Sequence, residues 1–216
     1  MPPMVTLPDE PPPLTERFLA AVALAEELHG RDRRAGTRIP YVAHLLVVTG
    51  LVLEDGGDED QAIAAMLHDA VEDGGGRRLL DRLERSFGPT VAGIVERLSD
   101  RIDDHQDETW VERKRRYLAH LEECDDEATL RVALADKVHN ARSLVRGYRE
   151  EGHLLWDRFP EKTAQEQLWY YGRLVDVFTQ KRPGPLTSDL RTALAELAAL
   201  VAADPRDSGA PNHPAT

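Results

Sequence analysis

The residues with the most chemical capacity crowd into one short segment, Ala65-Met66-Leu67-His68-Asp69-Ala70-Val71-Glu72-Asp73. Four ionisable side chains within six residues directly follow the apolar run 62–67. Such groups are costly to bury unless something satisfies them, and a divalent cation would. On a helix, Asp69 and Asp73 are four residues apart, as are His68 and Glu72, so each pair would share a face. The adjacent His-Asp pair would then present an imidazole nitrogen and a carboxylate oxygen to one wall of a cavity. A solvated helix end, stopped by Gly74-Gly75-Gly76, accounts for the same letters.

Two distant segments add polar residues of the same kinds. In the stretch 39–48, His44 is the one strongly polar side chain among apolar neighbours; it is either a ligand or a core histidine bonded to a backbone carbonyl. In Leu134-Ala135-Asp136-Lys137-Val138-His139-Asn140, Asp136 follows an apolar run in mid-helix, where Asp is a poor helix former and is rarely buried unpaired. Asn140 lies one turn further on the same face, and Ser143 nearly another. A salt bridge would also explain Asp136.

The elements that must carry these residues all read as helices. A first helix is predicted from Thr15 to about His29, with Phe18, Ala21, Val22, Ala25 and Leu28 on one stripe. A basic loop, 31–38, leads to Pro40 in the first turn of a second helix ending near Glu54. Asp58 should cap a third that runs to Asp73. Further helices are predicted over 77–87, 89–98, from Thr109 to about Glu123, from Asp126 to about Tyr148, and over 161–181 and 187–202. No window alternates as a strand would. The expectation is an all-α fold, one multi-helix domain over 14–203. Proline-rich residues 1–13 and polar residues 204–216 are expected to be disordered tails.

Bulk composition narrows the partners. Lys plus Arg number 27 and Asp plus Glu 39, a net charge of −12. That sign opposes non-specific binding to nucleic acid or to an anionic membrane. An anionic substrate would need a local basic patch. Cys124 is the one cysteine, so no intrachain disulfide forms and the cytoplasm is the expected compartment. Residues 1–13 lack the basic start and apolar stretch of a signal peptide, and no run reaches the roughly 18 apolar residues of a membrane span.

Taken in order, His…His-Asp…Asp is the pattern of the HD superfamily of metal phosphohydrolases. More narrowly, the sequence resembles the hydrolase domain of the Rel/SpoT alarmone enzymes, and best the small stand-alone hydrolases of that family. The resemblance covers about residues 15–180 and rests on Arg33-Arg34, Pro40-Tyr41-Val42-Ala43-His44, His68-Asp69-Ala70-Val71-Glu72-Asp73 and Ala135-Asp136-Lys137-Val138-His139-Asn140. Glu112-Arg113-Lys114-Arg115 is also similar to the stand-alone members.

The resemblance implies one manganese ion held by His44, His68, Asp69 and Asp136. It implies Glu72 and Asp73 as the acid pair acting on the attacking water, Arg33 and Arg34 as the grip on a pyrophosphate, and Asn140 and Ser143 as contacts to the ribose or phosphate side. The implied substrate is a phosphorylated guanine nucleotide, guanosine tetra- or pentaphosphate, losing its 3′-pyrophosphate. Arg34 stands where lysine is common and Ser143 where threonine is. Leu98-Ser99-Asp100 replaces the usual Val-Thr start of an unusually acidic loop, 100–108. Two other readings stay open: an HD hydrolase of nucleoside monophosphates or deoxynucleoside triphosphates, and a nucleotide-binding sensor without turnover.

Overall fold

Five helices begin at a side-chain cap. Thr15, Asp58, Thr109, Asp126 and Thr163 each accept a backbone N–H from the first turn that follows, which satisfies donors a helix otherwise leaves open. At Thr109 and Thr163 a glutamate three residues on returns the bond, closing a capping box. The computed structural model describes residues 14–71, 76–99, 108–159 and 163–207. Glu72, Asp73, most of the acidic loop, residues 1–13 and residues 208–216 lie outside the described residues.

Among the described residues there are nine α-helices and no strand. They are α1 Glu16–His29, α2 Tyr41–Glu54, α3 Glu59–Leu67, α4 Gly76–Phe87, α5 Pro89–Leu98, α6 Trp110–Glu123, α7 Glu127–Glu151, α8 Ala164–Lys181 and α9 Pro185–Ala203. The fold is all-α, as expected, and no described helix is long and apolar enough to cross a membrane.

The 25-residue helix α7 is the spine. It packs on α2, α3, α5 and α9, and Leu134, Ala135 and Val138 vanish into the core beside Leu45, Ile63 and Met66. Removing such side chains from water is the main stabilising term. After α2, Asp55 sits between Arg131 of α7 and Arg182 after α8, so three elements share one partly buried carboxylate.

Three details depart from the sequence-based expectation. The first is α3, which ends at Leu67 rather than running to Asp73. The Ala70 N–H bonds the Leu67 carbonyl, an i to i−3 link that tightens the chain into a turn. His68 and Asp69 therefore leave the helix end rather than a helix face.

The second is an unforeseen 3₁₀ segment, Gly152–Arg158, reached through Gly152 at φ +60. The third is residues 204–207, which fold back instead of starting a tail. The Asp207 carboxylate accepts hydrogen bonds from Tyr148 Oη at 2.7 Å and Trp156 Nε1 at 2.9 Å, and its carbonyl accepts one from Gln165.

Candidate active site

Each polar residue of the site is delivered by the end or the middle of a helix. Pro40 precedes α2 with an extended backbone, so Tyr41 and His44 occupy its first turn three residues apart and share a face. His68 closes α3 and Asp69 follows in the turn. Asp136, His139, Asn140 and Ser143 fall at i, i+3, i+4 and i+7 of α7, one stripe along the spine. The packing of α2 and α3 on α7 brings the three groups together.

His44 Nε2 lies 3.3 Å from Asp136 Oδ1 and 3.6 Å from Asp69 Oδ2. His68 Nε2 lies 3.1 Å from Asp69 Oδ2 and 3.7 Å from Asp136 Oδ1. Ligand atoms of His44, His68 and Asp136 all fall within 4.8 Å of one another, and all three residues are buried. Asp69 stands at the rim of this trio, where its Oδ2 also accepts a hydrogen bond from Tyr41 Oη.

Burial disfavours every charge here, but the neighbours outweigh it. Burial would raise the Asp136 carboxyl, yet the Lys137 ammonium and the nearby imidazoles of His44 and His68 hold it well below the usual range. Burial would likewise raise Asp69, which the His68 charge and the nearness of both imidazoles hold well below it. His68 would be lowered by burial but is raised by Asp69 and Asp136. The cluster therefore attracts positive charge.

The donor set fits a metal ion. His44 Nε2 and His68 Nε2 are buried and make no hydrogen bond of good geometry, although carboxylate oxygens surround them. Orphaned buried nitrogens are expensive unless a cation uses their lone pairs. His68 Nδ1 faces the Ala65 carbonyl at 2.8 Å, an acceptor only, so Nδ1 carries the proton and Nε2 is free to ligate. Two imidazoles with carboxylates suit a first-row divalent ion.

Beside the cluster opens a cavity of about 640 Å³, room for a nucleotide. Arg34, Lys114, Lys137, Arg146 and Arg158 line it, with Glu150 as the one acid among the described lining residues. Lys114 and Lys137 also line a 60 Å³ recess that holds His68, Asp69 and Asp136. The basic patch that the overall charge of −12 would demand is thus present. Tyr41, Trp110, Phe159, Tyr170 and Tyr171 supply aromatic walls.

The remaining sequence candidates divide. Arg34 enters the cavity, packs its guanidinium 5.7 Å from the Tyr41 ring centre and donates to Asn140 Oδ1 at 2.5 Å. Arg33 is exposed, donates to the Asp32 carbonyl and does not line the cavity. Arg33 pairs with Pro40 in an isolated antiparallel bridge and the Arg34 N–H bonds the Ile39 carbonyl; in such a pairing successive side chains point to opposite sides. Asn140 lines the cavity, but its amide is engaged at both ends, since Nδ2 donates to Asp136 Oδ1 at 2.5 Å. Ser143 also lines it and donates to the His139 carbonyl at 2.9 Å. Glu72 and Asp73 lie outside the described residues.

Sequence reasoning passed over several groups. Tyr41 bonds Asp69 and is raised by burial and then by the Asp69 charge, so it remains a phenol donor. Lys137 bonds Asp136 Oδ2 at 2.6 Å and lies 4.8 Å from the Tyr117 ring centre. His139, which the sequence leaves as either packing or a partner behind the ligands, touches His44; burial first, then His44 and Arg34, lowers it to about 4. Each is adjacent in sequence to a noticed residue or within four of one, but which neighbour turns inward depends on tertiary packing.

Comparison with known proteins agrees with this geometry. The family model described as "HD domain" matches residues 21–162, more than half the chain. Guanosine-3′,5′-bis(diphosphate) 3′-pyrophosphohydrolase MESH1 of Xenopus tropicalis is 38% identical over 134 residues, covering 60% of this chain and 70% of that protein. A probable guanosine-3′,5′-bis(diphosphate) 3′-pyrophosphohydrolase of Synechocystis is 34% identical over 131 residues, 57% of this chain and 16% of a much longer one. A solved structure, described as a metazoan ortholog of SpoT that hydrolyzes ppGpp, superposes with a TM-score of 0.67 at 25% identity, covering 89% of this chain and 98% of that one. With the His, His-Asp and Asp segments meeting on the spine helix and a family match across them, the chain belongs to the HD-domain family.

Proposed function

We propose that the chain is a metal-dependent pyrophosphohydrolase that removes the 3′-pyrophosphate from guanosine tetra- or pentaphosphate, giving GDP or GTP and pyrophosphate. One observation carries this reading: the His-Asp cluster sits against a cavity lined by five cationic side chains in a protein of net charge −12. Cations gathered against the overall charge match a polyphosphate. The likeness to proteins named for this reaction supports the guanine nucleotide.

The HD domain implies a divalent metal, and His44, His68 and Asp136 could hold it. We assign Asp69 as the fourth ligand and manganese as the ion on the resemblance of the motif. Bound there, the ion would supply a Lewis acid for a phosphoryl oxygen and would acidify water. Glu72 and Asp73, three and four residues after Asp69, are assigned to take the proton from the attacking water. Arg34 would grip the pyrophosphate, held in place by Tyr41 and Asn140. Ser143, whose proton goes to the His139 carbonyl, keeps its oxygen as an acceptor toward the ribose side. We assign the folded unit to residues 14–207, and place the enzyme in the cytoplasm because its single thiol, Cys124, is free and buried.

A substrate panel with Mn²⁺ tests the proposal. Guanosine 3′-pyrophosphates should exceed deoxynucleoside triphosphates and nucleoside monophosphates in kcat/KM by tenfold or more, about 1.4 kcal/mol of transition-state discrimination. The reverse order would return the chain to the wider pool of HD nucleotide hydrolases, and binding without turnover would make it a sensor.

The two arginines give a second, internal test. Arg34→Ala should cost about 2–4 kcal/mol of transition-state stabilisation, as loss of a preorganised donor does, with metal content and fold intact. Arg33→Ala should change kcat/KM by no more than about 0.5 kcal/mol, the scale of an exposed substitution. Steady-state kinetics on both variants decide it, and equal losses would mean that Arg33 also reaches the substrate.

A further inference from the structure

The two histidines of the cluster have their non-ligating nitrogens fixed in different ways. His68 Nδ1 faces a backbone carbonyl, which can only accept, so its tautomer follows from the fold. His44 Nδ1 has a different neighbour. It lies 2.6 Å from Nδ1 of His139, a second imidazole, whose ring is centred 4.8 Å away and tilted by 34°. An imidazole can donate or accept, so this contact by itself leaves the His44 proton on either nitrogen.

The surroundings remove the ambiguity. At 2.6 Å one nitrogen must carry the hydrogen and the other the lone pair. His44 Nε2 is buried, faces Asp136 Oδ1 and Asp69 Oδ2, and forms no hydrogen bond of good geometry with either. A proton on Nε2 would therefore go poorly used, whereas a proton on Nδ1 has a close acceptor. His139 comes from the same stripe of α7 as Asp136, three residues on, so the helix that supplies a carboxylate also sets the imidazole opposite it. Its carbonyl is bonded by Ser143 Oγ one turn later.

We propose that His139 is a positioning residue: its Nδ1 accepts the Nδ1–H of His44, which fixes the tautomer and plane of His44 and leaves Nε2 as a lone-pair donor to the divalent ion. This rests on the metal-site reading above. His139 also borders the cavity, but the role proposed for it runs through its contact with His44. Groups in such positions typically alter metal affinity by about 10- to 100-fold.

The experiment uses the full chain in wild-type form and as His139→Phe, which keeps the ring and removes the acceptor, and His139→Gln, which restores an acceptor. A long-range ¹H–¹⁵N correlation spectrum of the metal-free protein at mildly alkaline pH reports the His44 tautomer directly. Wild type should show His44 protonated on Nδ1, His139→Phe should lose that preference, and His139→Gln should recover it. Titration with Mn²⁺ should then show affinity falling by roughly 10- to 100-fold in His139→Phe and largely restored in His139→Gln. His44 protonated on Nε2 in the wild type would overturn the proposal, as would unchanged Mn²⁺ affinity in a folded His139→Phe protein or equal losses in both variants. If no chain binds Mn²⁺, the metal-site reading fails while the tautomer spectrum still judges the His44–His139 bond.

Discussion

Asp136→Ala should strip most of the bound divalent metal and lower kcat/KM by roughly 10³-fold or more, about 4 kcal/mol. Asp136 ties together four residues of the site. Asp136 Oδ1 faces both imidazole Nε2 atoms and accepts from Asn140, while Oδ2 takes Lys137. Deleting the carboxylate leaves the partly buried Lys137 ammonium without this partner, a loss that destabilises the fold as well as the site. Asp136→Asn keeps the volume and hydrogen-bonding capacity and so separates folding from metal binding. Metal analysis by mass spectrometry, with circular dichroism as the fold control, should show a folded Asp136→Asn protein that is also metal-poor. Full metal occupancy in either folded variant would remove Asp136 from the ligand set.

Glu72→Gln should do the opposite to metal and the same to turnover. The substitution keeps size and hydrogen bonding but cannot accept a proton at neutral pH. Metal content and KM should stay near wild type, while kcat falls by about 10² to 10⁴, the scale of general acid–base work. Asp73→Asn should behave similarly, and the double variant should lose little more than either single one, because both groups would serve one water. Loss of metal in Glu72→Gln would make it a ligand; near-normal kcat would move the proton to Asp73 alone.

The two variants also mark where sequence reading succeeds and where it stops. His44, His68 and Asp136 are legible because each interrupts an apolar run, and a buried polar group without a purpose is too costly to keep. The helices are legible because their caps and glycines are local signals, as at Thr15, Asp58 and Thr109. The early end of α3 is not, since nothing between Leu67 and Asp73 breaks a helix; the turn arises where His68 and Asp69 meet α2 and α7.

Nor can adjacent letters say that Arg34 turns inward and Arg33 outward, because that depends on the bridge to Pro40. The basic cavity is assembled from the segment before α2, α2 itself, α6, α7, α8 and the 3₁₀ segment, with Arg34, Lys114 and Arg146 far apart in the chain. Sequence periodicity marks such residues as solvated faces. His139 and Tyr41 gain their importance through contacts to His44 and Asp69, which no spacing rule foretells.

The most direct test of the central claim is hydrolysis of guanosine 3′,5′-bis(diphosphate) in ¹⁸O-labelled water with Mn²⁺ present, followed by mass analysis of both products. Attack at the phosphorus carried by the 3′ oxygen should place one ¹⁸O in released pyrophosphate and none in GDP. Release of labelled orthophosphate, or label at the 3′ oxygen of the nucleotide, would contradict it.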